Sequence, residues 1–170
     1  VPRLPVEICE LVIDIVAAFV DGWDPHSDAP WRETLAACAL TCRVWYAHAQ
    51  RHRLKVVNLR GRNDVTILCN LLRDVPRLKV SVQVASFGSY TGDRLPLPYL
   101  GMFITKLALQ LPGLHSLAIY GASWTSSSVR VDDLQYLQMF RHLTRLRLYR
   151  VTFTNASQLA RLVAALPGLL

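Results

Sequence analysis

Apolar positions between Val6 and Val20 crowd onto one helix. Ile8, Leu11, Val12, Ile15, Val16 and Phe19 fall at i, i+3, i+4, i+7, i+8 and i+11, which is the spacing of a helix face. Glu7, Glu10 and Asp14 share a single stripe about 60° wide when residues are placed at about 100° each. The remaining positions from Ile8 to Val20 are apolar, including Cys9, Ile13, Ala17 and Val20. A small domain can bury one such stripe against its own neighbours. The second stripe predicts a partner. Residues 21–32 are polar and carry Gly22, Pro25 and Pro30, so they predict a loop. A second helical pattern runs from Thr34 to His52, with Leu35, Cys38, Cys42, Trp45 and Ala49 recurring every three or four residues.

After residue 50 the pattern changes to short strands alternating with helices. Leu54, Val57 and Leu59 form one L-x-x-L-x-L-like cluster, Leu114, Leu117 and Ile119 another, and Leu143, Leu146 and Leu148 a third. Leu78 opens a fourth, in which Val80, Val82 and Val84 alternate. The lead leucines are therefore Leu54, Leu78, Leu114 and Leu143, with Leu169 following at a similar interval. Helix patterns lie between them at 64–74, 100–111, 133–140 and 156–166. Asn63 and Asn155 are expected N-caps and Pro98 a first-turn residue. Long loops are expected at 86–99 and 123–132. A strand and a helix repeating at such intervals form a leucine-rich-repeat signature. The departures are long repeats, no Asn or Cys after the strands, and Ser81 and Gln83 in the later slots of the second unit. The expectation is an α/β chain with two regions: residues 1–50, a three-helix module, and residues 51–170, a repeat region of short parallel strands and helices. The pattern stops at Leu170 where another strand would begin, which predicts further repeats.

Composition sharpens this picture. Of the 170 residues, 52% are hydrophobic and only 18% charged, so much apolar surface must be covered internally or by a partner. A module of about 50 residues is marginal alone, which again favours docking. A membrane-spanning helix needs roughly 20 mostly apolar residues, and the best candidate is broken by Glu7, Glu10 and Asp14. The same stretch lacks the basic start and cleavage site of a signal peptide. Four cysteines in apolar helix patterns suggest thiols in a reducing compartment, cytosol or nucleus. The net charge of +7 rests on 16 arginines and 3 lysines, a balance suited to carboxylate or phosphate recognition.

The candidate chemistry is sparse. No G-x-S-x-G, H-E-x-x-H, Walker or G-x-G-x-x-G motif occurs, so neither catalysis nor a cofactor is expected. Asp132 and Asp133 suit a helix start. Cys38, Cys42, His48 and His52 have zinc-ligand types, but their middle spacer is far shorter than a finger requires and all four fall on one helix pattern. They read as core thiols and surface histidines. The run Arg43, Arg51, Arg53, Lys55, Arg60, Arg62 reads as a solvated face in preference to a nucleic-acid contact. On the repeat strands the residues between the leucines face outward: Asn58, Arg60, Lys79, Ser81, Gln83, Ser116, Tyr120, Arg145, Arg147 and Tyr149. That basic surface with two tyrosines is expected to take an acidic or phosphorylated protein segment, with Arg60, Lys79, Tyr120, Arg145, Arg147 and Tyr149 as its contacts.

Two ends of the first region belong together. Leu4-Pro5-x-Glu7-Ile8 opens it, Val12-Ile13 and Val16 continue it, and Leu35-x-x-Cys38-Ala39-Leu40-Thr41-Cys42-Arg43-Val44-Trp45 closes it. In order and at both ends this resembles the F-box family, and with its longer central loop it is similar to the large fungal families of F-box proteins. The resemblance implies a non-enzymatic substrate-recognition subunit of a cullin-RING (SCF-type) ubiquitin ligase. Such a subunit binds a Skp-type adaptor through the helices and a protein substrate through the repeats. It implies that Leu4, Pro5, Ile8, Val12, Ile13 and Leu40 pack on the adaptor or orient the helices that do, while Trp45 pins the closing helix. The alternatives carried with it are a repeat scaffold that recruits no ligase and, more remotely, a nucleic-acid-binding module.

Overall fold

A computed structural model describes residues 5–20, 25–89, 96–125 and 131–169. The chain divides into two compact units, Val1–Val57 and Asn58–Leu170. It is a mixed α/β protein in which helices alternate with parallel strands.

Unit 1 packs three helices against one another: α1 (Val6–Ala18), α2 (Pro25–Thr41) and α3 (Arg43–Arg53). Its core is Cys9, Ile13, Ala17 and Val20 from α1 and its end, with Leu35, Ala39 and Ala49. Residue 50 falls inside α3. The polar segment expected as a loop is helical from Pro25 onward; residues 21–24 lie outside the described set. Proline costs nothing at a first helical position, because its missing N–H would be unpaired there anyway. Asp28, in the first turn, is buried and pairs with Arg32 at 3.6 Å. Arg32 also donates from Nη1 to the Val56 carbonyl at 2.9 Å. Those contacts anchor a segment whose composition alone signals a turn.

The single helix expected from Thr34 to His52 is two helices. The Thr41 hydroxyl donates to the carbonyls of Cys38 and Ala37, at 2.8 and 3.2 Å, so it engages the last turn of α2 itself. Cys42 is extended (φ −160°, ψ 170°), and its carbonyl accepts from Tyr46 N at 2.8 Å to start α3.

A four-stranded sheet has the order β1 (Val56–Leu59), β2 (Val84–Gly88), β3 (Ser116–Tyr120), β5 (Arg145–Tyr149), the last three of which lie in unit 2. The boundary between the units falls within β1. Strand β2 runs parallel to β3, and β3 parallel to β5. The connecting helices are α4 (Arg62–Asp74), α5 (Pro98–Leu107) and α6 (Val131–Leu137), with α7 (Ala156–Ala164) last. A second parallel pair joins β4 (Ser123–Trp124) to β6 (Thr152–Phe153), and β4 occupies the start of a segment expected as loop. Ser116 pairs with Arg145 and Ser123 with Thr152, so β3–β4 recurs as β5–β6 at the same offset in both ladders.

One strand is shifted from its expected place. Pro76–Ser81 is a 3-10 helix, and β2 begins only at Val84. Pro76 cannot continue α4, and it holds Val75 out of helical conformation (φ −130°, ψ 75°). The register shows which residues match the leucines of β3: Ala85 pairs with Leu117 and Phe87 with Ile119. Val82, three before Ala85, then corresponds to Leu114. Val82, Ala85 and Phe87 are all fully buried. The L-x-x-L-x-L slots of this unit are these three, not Leu78, Ser81 and Gln83. Phe87 meets Phe103 of α5 edge-on at 5.0 Å, and Phe103 stacks on Phe140 at 6.0 Å, which ties sheet and helices into one core.

Capping also departs from expectation once. Gly61, not Asn63, caps α4, while Asn155 caps α7 and accepts from Gln158 N at 3.1 Å. The strand ends need left-handed backbone at Gly88 (φ 89°) and Gly121 (φ 51°), and at Arg150 (φ 54°), which takes the place of Gly121 one repeat later.

Candidate docking surfaces and a histidine cluster

Helix α1 buries one apolar stripe and exposes the other. Cys9, Ile13 and Ala17 face the helices of unit 1. Val6, Ile8, Leu11, Val12, Ile15 and Phe19 are exposed, Ile8 at 45% and Val12 at 42%. Phe19 stacks on Trp31 at 4.4 Å. Leu40 is the most exposed large apolar side chain described in unit 1, at 86%, and Val44 and Tyr46 are also exposed. Among the residues expected to meet an adaptor, Pro5 sits exposed at the start of α1, and Ile8, Val12 and Leu40 are exposed. Ile13 is fully buried, so it can only orient α1. Leu4 lies outside the described residues. Trp45 is half-buried on α3.

The polar side of α1 meets α3. His48 and His52, one turn apart on α3, each place Nε2 2.7 Å from Asp14 Oδ1. Glu10, one turn before Asp14, approaches the other ring nitrogen of His48 at 3.8 Å. Hydrogen bonding from His48 holds the Asp14 carboxyl below its usual range; desolvation opposes it, and the hydrogen bond from His52 and the charges of both rings add to the lowering. The alignment His48-x-x-x-His52 is legible in the sequence, but its partner is not. Cys38 and Cys42 are separated from it by the break before α3. All four cysteines are free thiols; Cys9 is buried, Cys42 exposed. Burial pushes the Cys69 thiol up.

In unit 2 the residues between the core positions of the sheet form three rows. Val84, Ser116 and Arg145 make one, Ser86, Ala118 and Arg147 the next, and Gly88, Tyr120 and Tyr149 the third. Ser86 donates to Asn58 Oδ1. The face is not uniformly open. Ser116 and Tyr120 are buried, contrary to their expected outward exposure, because β3 lies between two neighbouring strands and Tyr149 stands 6.4 Å from the Tyr120 ring. Arg145 and Tyr149 are exposed and Arg147 half-buried, so the accessible charge gathers on β5. Arg60 is exposed just after β1. Lys79 lies in the 3-10 helix and on no strand, because Pro76 redirects the chain there, and Ser81 and Gln83 are likewise off the strands.

A cleft of about 150 Å³ opens beside the ends of β2 and β3, lined by Arg60, Gly88, Leu97, Tyr99 and Gly121 among others. Desolvation raises the Tyr99 phenol, opposed by a backbone hydrogen bond at Gly88. The side chains of the described lining supply one guanidinium (Arg60), one phenol (Tyr99) and one hydroxyl (Ser89). Among the described residues no helix is long and apolar enough to cross a membrane.

Comparison with models of known protein families, with curated proteins and with solved structures finds no match to this chain.

Proposed function

We propose that this chain is a substrate-recognition subunit of a cullin-RING ubiquitin ligase, an F-box module followed by leucine-rich repeats, with no chemistry of its own. The observation that carries the reading is the outward stripe of α1. Ile8, Leu11, Val12, Ile15 and Phe19 form a continuous apolar strip on a three-helix unit whose inward side is already filled. Scattered exposed apolar residues need no explanation, but an aligned strip of them marks an interaction surface. The strip lies within the segment whose Leu-Pro-x-Glu-Ile opening and Cys-Arg-x-Trp close resemble the F-box, which supports a Skp-type adaptor as the occupant. The recurrence of β3–β4 as β5–β6 at one constant offset supports leucine-rich repeats as the second part. Free thiols accord with a cytosolic or nuclear setting.

On unit 2, Arg145, Arg147 and Tyr149 on β5 are the substrate contacts this reading favours, for an acidic or phosphorylated protein segment. Tyr120 serves beneath Tyr149, and Arg60 and Lys79 are separate from that strand.

The test is a pull-down of the chain with the Skp adaptor beside an Ile8→Asp/Val12→Asp variant. Both side chains are already exposed, so the variant keeps its fold. Capture of the wild type and loss in the variant supports the reading. A folded wild type that captures no adaptor overturns it and leaves a leucine-rich scaffold that recruits no ligase.

A further inference from the structure

Asp14, His48 and His52 come together from two helices. Residues four apart on a helix share a face, so α3 presents both imidazoles to the same point. That point is Oδ1 of Asp14, 2.7 Å from Nε2 of each. The three donor atoms lie within 4.8 Å of one another, and this is the one such group among the described residues. The rings stand edge to face, 5.1 Å between centroids.

Tying α1 to α3 would take one histidine. Two, converging through the same ring nitrogen on one carboxylate oxygen, form a set of donors. The outer surroundings match as well. Glu10 faces Nδ1 of His48, the nitrogen left over when Nε2 binds a metal. Carboxylates in that position fix the tautomer and orientation of ligating histidines.

We infer that Asp14, His48 and His52 form a binding site for a divalent transition-metal ion of the zinc class. Two imidazoles and a carboxylate suit zinc and its neighbours, whereas calcium and magnesium take all-oxygen sets. Tetrahedral ligands about 2.0–2.2 Å from zinc stand about 3.3 Å apart. The carboxylate must therefore withdraw from each nitrogen by about 0.6 Å. Asp14 can do so, because its side chain is 49% exposed while His48 and His52 are held at 19% and 26%. The ion takes the two Nε2 lone pairs, and the His48 ring proton resides on Nδ1, toward Glu10. Three protein ligands leave one position for water. The site would bridge α1 and α3 and so stiffen unit 1; the inference does not depend on the adaptor reading.

The experiment is titration of the metal-free, full chain with Zn²⁺ by calorimetry, with Co²⁺ absorption as a second readout. One ion per chain is expected, with a rise in the melting temperature and a cobalt spectrum free of thiolate charge-transfer bands. Asp14→Asn and His48→Ala/His52→Ala should abolish binding while far-ultraviolet dichroism stays unchanged. Glu10→Gln should keep the stoichiometry and weaken affinity roughly 10–100-fold. Cys38→Ser/Cys42→Ser should bind as the wild type does. No binding by the folded wild type overturns the inference. So does binding that survives in the histidine variant, or a thiolate band in the cobalt spectrum, which needs no variant to fold.

Discussion

Helix α1 and strand β3 are both rich in apolar residues, and the fold treats them in opposite ways. All five residues of β3 are buried, between β2 and β5. On α1 the inner stripe is buried and the outer one exposed. Unit 2 thus saturates its own apolar surface along this strand, while unit 1 leaves a strip unused. Apolar content alone does not mark an interface. What marks it is apolar surface that remains once the neighbouring elements have been packed.

The contrast between buried and spare apolar surface is largest where burial is deepest. Phe103→Ala removes the ring that joins Phe87 to Phe140, and should cost about 3–5 kcal/mol by denaturant unfolding. Ile13→Ala, in the inner stripe of α1, should cost about 2–5 kcal/mol. Its neighbour Val12→Ala should cost well under about 1 kcal/mol, since the side chain is already exposed. Equal losses at positions 12 and 13 would remove the distinction between the stripes. Next in size is Asn155→Ala, which deletes the cap accepting from Gln158 N and should lower stability by about 1 kcal/mol. Smallest is Arg150→Gly. It relieves a left-handed residue whose counterpart one repeat earlier is Gly121, and should raise the melting temperature by an amount equivalent to up to about 1 kcal/mol. A fall would mean that the Arg150 side chain contributes more than its backbone conformation costs.

Much of this is legible in the sequence, for reasons that differ by element. The two stripes of α1 follow from helical periodicity alone, because every polar residue falls into one narrow sector. The strands at 116–120 and 145–149 are legible because leucines and an isoleucine fill their core slots. Strand β2 is not, because Val82, Ala85 and Phe87 fill those slots with other residues and Pro76-Arg77-Leu78 imitates the start of a repeat. The early start of α2 is hidden by two prolines, and its anchors, Asp28 with Arg32 and Arg32 with the Val56 carbonyl, depend on tertiary structure. The break at Cys42 escapes periodicity because the apolar spacing runs on through it. On the sheet, alternation gives the outward direction, but direction is not exposure: Ser116 and Tyr120 alternate with the core positions of β3 and are still buried. The histidine cluster is half legible. Its two imidazoles share a motif, whereas Asp14 lies 34 residues from His48 and joins only through packing.

The proposal to test first is that an adaptor covers the outward stripe of α1. Its most direct measurement is the heat of binding of the purified Skp adaptor to the chain over a range of temperatures, for the wild type and for Ile8→Asp/Val12→Asp. The account predicts one-to-one binding with a clearly negative heat-capacity change, the mark of buried apolar surface, and loss of that signal in a variant whose unfolding curve is unchanged. Equal binding by the two proteins, or no heat from a folded wild type, would contradict it.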